Sequence, residues 1–148
     1  MKENVFGFEW PTTAYVSAVD VGNITRMGYL IERHSDIETN RRVQSGKMSL
    51  HRGLLLAVWS AVHYVRNSKY ADRNMVVYLD SPDVSKELTD SWNNVVDRNV
   101  KDEDLIKKTM LDCCNIASVV FAYCGTDEGG VMEHISSRMK ELKRNLTI

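Results

Sequence analysis

The chain has 148 residues, 43% hydrophobic and 26% charged, which is the size and make-up of a single globular domain and not of a disordered chain. Its 19 basic and 20 acidic residues leave a formal net charge of −1, so no global positive field marks it as a nucleic-acid binder, although a local basic face is compatible with that balance.

Residues 1–13 end in Trp10-Pro11-Thr12-Thr13, the lead-in to a strand. Phe6, Phe8 and Trp10 alternate, the pattern of a short edge strand or an extended arm over the core. Ala14–Asp20 is a β-rich run ending in an aspartate before Gly22-Asn23, and Met27–His34 is a second one. The loop between them, Val21–Arg26, is short enough for an antiparallel hairpin. Ser35–Ser45 is polar and predicts a turn and an exposed third strand around Arg41–Gln44.

The period then changes. Ser49 is a good N-cap for Leu50–Val65, where Leu54, Leu55, Val58, Trp59, Val62 and Val65 recur at helical spacing. Met75–Leu79 is a continuous apolar run ending in Asp80-Ser81-Pro82, as expected of an interior strand covered on both faces. Asp83–Trp92 and Glu103–Cys114 read as helices, the second with Leu105, Ile106, Met110, Leu111 and Cys114 as its buried stripe. Ala117–Cys124 is a last strand, Gly125–Gly130 a glycine-rich loop, and Val131–Asn145 a closing helix. The order β-β-β-α-β-α-α-β-α predicts an α/β fold: a mixed five-stranded sheet, three strands joined by hairpins and two reached across helices, with helices on its faces.

Cys113, Cys114 and Cys124 have no framework spacing and read as reduced core thiols. With His34, His51, His63 and His134 they make no zinc motif. The longest apolar stretches, around Leu54–Trp59, are too short to span a bilayer, and residues 1–11 lack a basic segment followed by an apolar one. The expectation is one domain over residues 1–148, intracellular, cytoplasmic or in a eukaryote nuclear, and without a membrane partner.

The order of elements, with an aspartate ending the first strand and another ending the fourth, resembles the ribonuclease H fold over nearly the whole chain after Thr13. Val19-Asp20 through Gly28-Tyr29 is similar to that family's first aspartate, its Gly/Asn loop and its second strand. Ser49–Val65 takes the place of the first helix, and Tyr78-Leu79-Asp80-Ser81 with Trp92 that of the Asp-Ser strand end and the helix after it. Asp102-Glu103-Asp104-Leu105 and Ala122-Tyr123-Cys124-Gly125 are similar to the start of the next helix and the end of the last strand.

The resemblance implies hydrolysis of the RNA strand of an RNA–DNA hybrid by two Mg²⁺ or Mn²⁺ ions held by four carboxylates. Asp20 and Asp80 match two of the four, as catalytic and metal-binding residues. Gly53 stands where the helix glutamate belongs, and Met48–His63 holds no carboxylate at all. Aligned without gaps from Gly125, Thr126 replaces the family's loop histidine and Ser136 falls on the fourth acid; Glu133 takes that role if the loop is shorter, and Asp127 and Glu128 lie in the loop. The bland readings are a turn residue for Asp20, a helix cap for Asp80 and a first-turn acid for Glu133.

For substrate, Arg41, Arg42, Lys47 and Arg52, with His51, form the densest basic patch, where the family's hybrid crosses the first helix. The expectation is a ribonuclease H-like domain with an impaired metal site and no cofactor, whose partner is nucleic acid (an RNA–DNA hybrid or related duplex) or a protein. The alternative is an active, divergent Mg²⁺- or Mn²⁺-dependent endonuclease using Asp20, Asp80 and Glu133.

Overall fold

Strands β1 (Thr12–Val21) and β2 (Ile24–Arg33) form a long antiparallel hairpin whose turn is Gly22-Asn23. Gly22 has φ +65°, a left-handed value that a side chain would strain. This two-residue turn is tighter than the six-residue loop expected, so both strands gain residues at the tip. The computed structural model describes residues 12–34, 36–69, 74–93, 102–125 and 131–148. The Phe6, Phe8 and Trp10 arm, the loop acids Asp127 and Glu128, and Thr126 lie outside the described residues.

The chain continues through β3 (Asp36–Arg42), α1 (Leu50–Arg66), β4 (Asn74–Leu79), α2 (Pro82–Trp92), α3 (Glu103–Cys113), β5 (Ser118–Tyr123) and α4 (Val131–Thr147). The sheet order is β3-β2-β1-β4-β5, antiparallel across β1, β2 and β3 and parallel from β1 to β4 to β5. The mixed α/β architecture is therefore the one expected. The third strand begins several residues earlier than its sequence suggests, because pairing with β2 through a register shift at Ile31/Glu32 organises polar residues that carry no apolar alternation.

Alternation along β1 divides the core. Ala14 and Val16 face a large cluster with α1, α2 and α3, including Leu55, Val58, Val62, Leu79, Leu88 and Leu105. Tyr15 and Leu30 face the other side, where Ile135, Met139, Leu142 and Leu146 of α4 cover the sheet. Ser49 caps α1 as predicted, its Oγ accepting from Arg52 N at 3.1 Å. Trp59, expected in the stripe, is only half-buried and stacks on His63 with ring centroids 5.1 Å apart, while Ala57 and Ala61 fill the interior.

The stripe of α3 is rotated from the one expected: Leu105, Ile106, Thr109, Asp112 and Cys113 are buried, while Leu111 is 69% exposed and Cys114 is exposed. Two polar residues in this stripe hide it from a hydrophobic pattern. Their groups are satisfied, Thr109 Oγ1 donating to Leu105 O at 2.8 Å and Asp112 accepting from Arg66 at 3.1 Å and bonding His63 Nδ1 at 3.1 Å. Cys113 is the core thiol of the pair, and burial pushes its pKa up to about 12.

Helix α4 is tied to the sheet by a buried carboxylate. Glu32 Oε1 accepts from the Tyr15 hydroxyl at 3.2 Å, and Oε2 meets His134 Nε2 at 2.8 Å and the Nε of Arg138. Its side chain is 8% exposed. Further along, Gly28 lets β2 pass beneath the helix: a Cβ there would lie 2.4 Å from Arg41 O and 3.0 Å from Leu146 Cδ2.

Candidate functional site

Parallel pairing runs in register from Thr12↔Met75 to Val16↔Leu79, so β1 and β4 bring their next residues together. There the Ser17 hydroxyl donates to Oδ2 of Asp80 at 3.0 Å. The Lys143 ammonium of α4 approaches the same oxygen at 3.0 Å. Ser17 is fully buried; the Asp80 and Lys143 side chains are 24% and 43% exposed. Asp80 is free for these contacts because Ser81, not Asp80, caps α2, its Oγ accepting from Val84 N at 3.3 Å.

Sequence reasoning expects Asp20 beside Asp80, and the register does not place it there. Asp20 follows Ser17 by three residues, about 10 Å along the strand at the usual rise. It also belongs to the opposite face, since Ala18 packs with the α1 side and Val19 with the α4 side. Asp20 Oδ1 accepts from the Thr25 hydroxyl at 2.9 Å, and that hydroxyl lies 2.7 Å from Met48 O. Asp20 thus fastens the hairpin tip to the segment that leads into α1.

Gly53 packs closely on the sheet. A Cβ at this position would sit 2.8 Å from Thr25 Cγ2 and 3.3 Å from Met27 Cε, so the backbone of α1 takes up the space in which a larger side chain would begin. Glu133 is likewise separated from Asp80. It precedes Lys143 by ten residues on α4, about 15 Å of helix, and its neighbour His134 bonds Glu32, which is paired with Thr13 at the start of β1. Ser136 lies on the exposed face of α4.

Among the described residues no group of three or more His, Cys, Asp or Glu side chains converges to hold a metal ion. Mg²⁺ and Mn²⁺ require several oxygen ligands, with carboxylates to balance their charge. Among the described residues, the Asp80 carboxylate, shared by a hydroxyl and an ammonium, does not fit that requirement. Lys143 supplies a positive charge where a divalent ion would need none from the protein.

The predicted basic patch is also divided. Arg52 bonds Asp102 at 3.0 Å and Asp104 at 3.1 Å, which holds the Asp104 carboxyl below its ordinary pKa. Arg42 turns away to the end of α4, donating to Asn145 O at 2.8 Å and Ile148 O at 3.0 Å. Arg41 and Lys47 are exposed.

An open cleft of about 400 Å³ lies beside Asp80, lined by Ala18, Leu50, Leu54 and Val84 with His51 and Asp83. At its rim, His51 Nδ1 is 2.7 Å from Asp102 Oδ2 and Nε2 is 2.8 Å from Glu87 Oε2. Carboxylates only accept, so this arrangement favours the charged imidazole, in which both ring nitrogens donate. Partial burial opposes this charge, but the bonds to Asp102 and Glu87 outweigh it and raise the pKa above the ordinary 6.5. The charged ring favours folding below pH 6.5, and that contribution is lost as pH rises through the elevated value. An NMR titration should place the His51 midpoint above 6.5, and His51→Gln should remove the loss of melting temperature over that window. A midpoint at or below 6.5 contradicts the doubly donating ring.

No protein-family model matches the sequence, and no curated protein matches it significantly. Solved structures do match. Ribonuclease H1 from the halophilic archaeon Halobacterium salinarum superposes with a TM-score of 0.65 at 15% identity, covering 92% of this chain and 99% of that one. LC11-RNase H1, solved with an RNA/DNA hybrid, gives 0.64 at 14% identity over 92% of this chain and 99% of its own. The foamy viral protease-reverse transcriptase, also solved with a hybrid, gives 0.69 at 14% identity over 90% of this chain but 19% of that much longer one. The chain thus has an α/β fold of the ribonuclease H-like class. At these identities the likeness establishes the architecture, and the side chains at the strand ends carry the question of activity.

Ser17 is the site residue that sequence reasoning missed. A signal was present: Tyr15-Val16-Ser17 and Tyr78-Leu79-Asp80 share a pattern of tyrosine, apolar residue and small polar residue. Tyr15 pairs with Tyr78 in the sheet and stacks on it at 5.7 Å.

Proposed function

We propose that this protein is a ribonuclease H-like module that binds nucleic acid, with an RNA–DNA hybrid or related duplex as its ligand, and does not hydrolyse it. The observation that carries the reading is the Lys143–Asp80–Ser17 cluster, in which one carboxylate is satisfied by an ammonium and a hydroxyl of the same chain. A two-ion mechanism needs a concentration of negative charge at the scissile phosphate. Here the carboxylate's charge is balanced internally. The ligand class is supported by hybrids bound to structures of the same fold.

The test is incubation of a labelled RNA–DNA hybrid with the protein in Mg²⁺ and, separately, in Mn²⁺. The expected result is intact RNA in both. Cleavage by the unaltered protein that disappears in Asp80→Asn would overturn the proposal and restore the nuclease reading with Asp80 as a ligand. Failure to bind hybrid or DNA duplex at low salt would favour a protein partner instead.

A further inference from the structure

The His51 ring joins three helices. From α1 its Nδ1 reaches Asp102 Oδ2, at the head of α3, at 2.7 Å, and its Nε2 reaches Glu87 Oε2, on α2, at 2.8 Å. The other charged groups around it are Arg52 on its own helix, Asp104 on α3, and Asp80 and Asp83 on the walls of the cleft.

The two carboxylates that meet the ring are held unequally. Asp102 Oδ1 accepts from Arg52 at 3.0 Å, and its backbone oxygen accepts from Leu105 N at 3.0 Å, so Asp102 is fixed to α1 and α3 at once. Glu87 has His51 as its one hydrogen-bond partner among the described residues, and its side chain is 31% exposed. Glu87 also follows Asp83 by four residues on α2, a like-charge spacing that repels when neither carboxylate is paired.

A neutral imidazole has one N–H and one lone pair. With the lone pair toward Asp102, two acceptors would meet at a carboxylate that Arg52 and α3 hold in place. With the lone pair toward Glu87, the conflict ends when a long, partly exposed side chain turns into water. Loss of one proton from the ring therefore frees Glu87 and keeps Asp102.

We propose that His51 is a proton-operated clasp, which ties α2 to α1 beside the Asp80 cleft when charged and lets α2 go, with α3 still attached, when neutral. Asp83 and Val84 of α2, with its cap Ser81, line that cleft. Val84 and Leu88 keep α2 anchored in the core, so the change is a loosening of one wall of the cleft. The clasp acts on access to the cleft whatever ligand the module takes, and does not rest on the nucleic-acid reading.

The experiment follows amide hydrogen exchange of the full chain at pH values on either side of the His51 ring midpoint, as protection factors corrected for the intrinsic rate, together with ring ¹⁵N shifts. The α2 amides should lose about fivefold in protection across the midpoint, the scale of one partly exposed ion pair, while α1 and α3 hold theirs. Above the midpoint the ring should carry its proton on Nδ1. Glu87→Gln, whose side-chain amide can accept from the charged ring or donate to the neutral one, should keep α2 protection level over the same range. No step in α2, an equal step in α3, a proton on Nε2 of the neutral ring, or a step that persists in Glu87→Gln overturns the clasp.

Discussion

Glu32→Ala is expected to lower the unfolding free energy by about 3–5 kcal/mol, the usual cost of removing one member of a buried, hydrogen-bonded charge cluster. The Glu32 carboxylate joins three groups: the Tyr15 phenol from β1 and His134 and Arg138 from α4. Its loss leaves the Arg138 guanidinium, 19% exposed, with Glu141 as its remaining carboxylate among the ion pairs described. The same carboxylate, with burial as the larger cause, pushes the Tyr15 phenol well above its ordinary pKa. Denaturant unfolding checks the magnitude. A change under about 1 kcal/mol would mean that α4 is held by its apolar stripe alone.

Gly28→Ala is expected to cost about 3 kcal/mol, toward the upper end for inserting volume into a packed site. The added methyl would lie 2.4 Å from a backbone oxygen, Arg41 O, which cannot rotate aside as a side chain can. Relief requires β2 and β3 to separate or α4 to lift from Leu146. Because α4 carries Lys143, the same substitution should disturb the Asp80 contact, and the chemical shifts of Lys143 and Ser17 should move with the loss of stability. A stable variant with unchanged shifts would contradict the close approach.

Much of the fold was legible because each element carries its own period. The alternating strands, the Ser49-capped helix and the apolar Met75–Leu79 run each declare their type locally, and connection rules then leave few topologies. The α3 stripe was misread because Thr109 and Asp112 are buried polar residues whose partners, Leu105 O, Arg66 and His63, appear only after folding.

The site was less legible for a related reason. Asp20 drew attention as a carboxylate before a glycine turn, but which β1 residue meets Asp80 depends on register against a strand some sixty residues away. That register selects Ser17. The aspartates retained from the resemblance are therefore two separate fastenings, Asp20 at the hairpin tip and Asp80 against Lys143. The basic residues are dispersed for the same cause: neighbours in sequence, Arg41 and Arg42 point to opposite faces of a strand, and only folding brings Arg42 to the end of α4.

The most direct measurement of the central claim is a calorimetric titration of the protein with Mn²⁺. With the Asp80 carboxylate shared by Lys143 and Ser17, the account predicts no saturable binding below about 1 mM, the weak end of protein sites for hard divalent cations. Saturable binding tighter than that, abolished by Asp80→Asn, would contradict it.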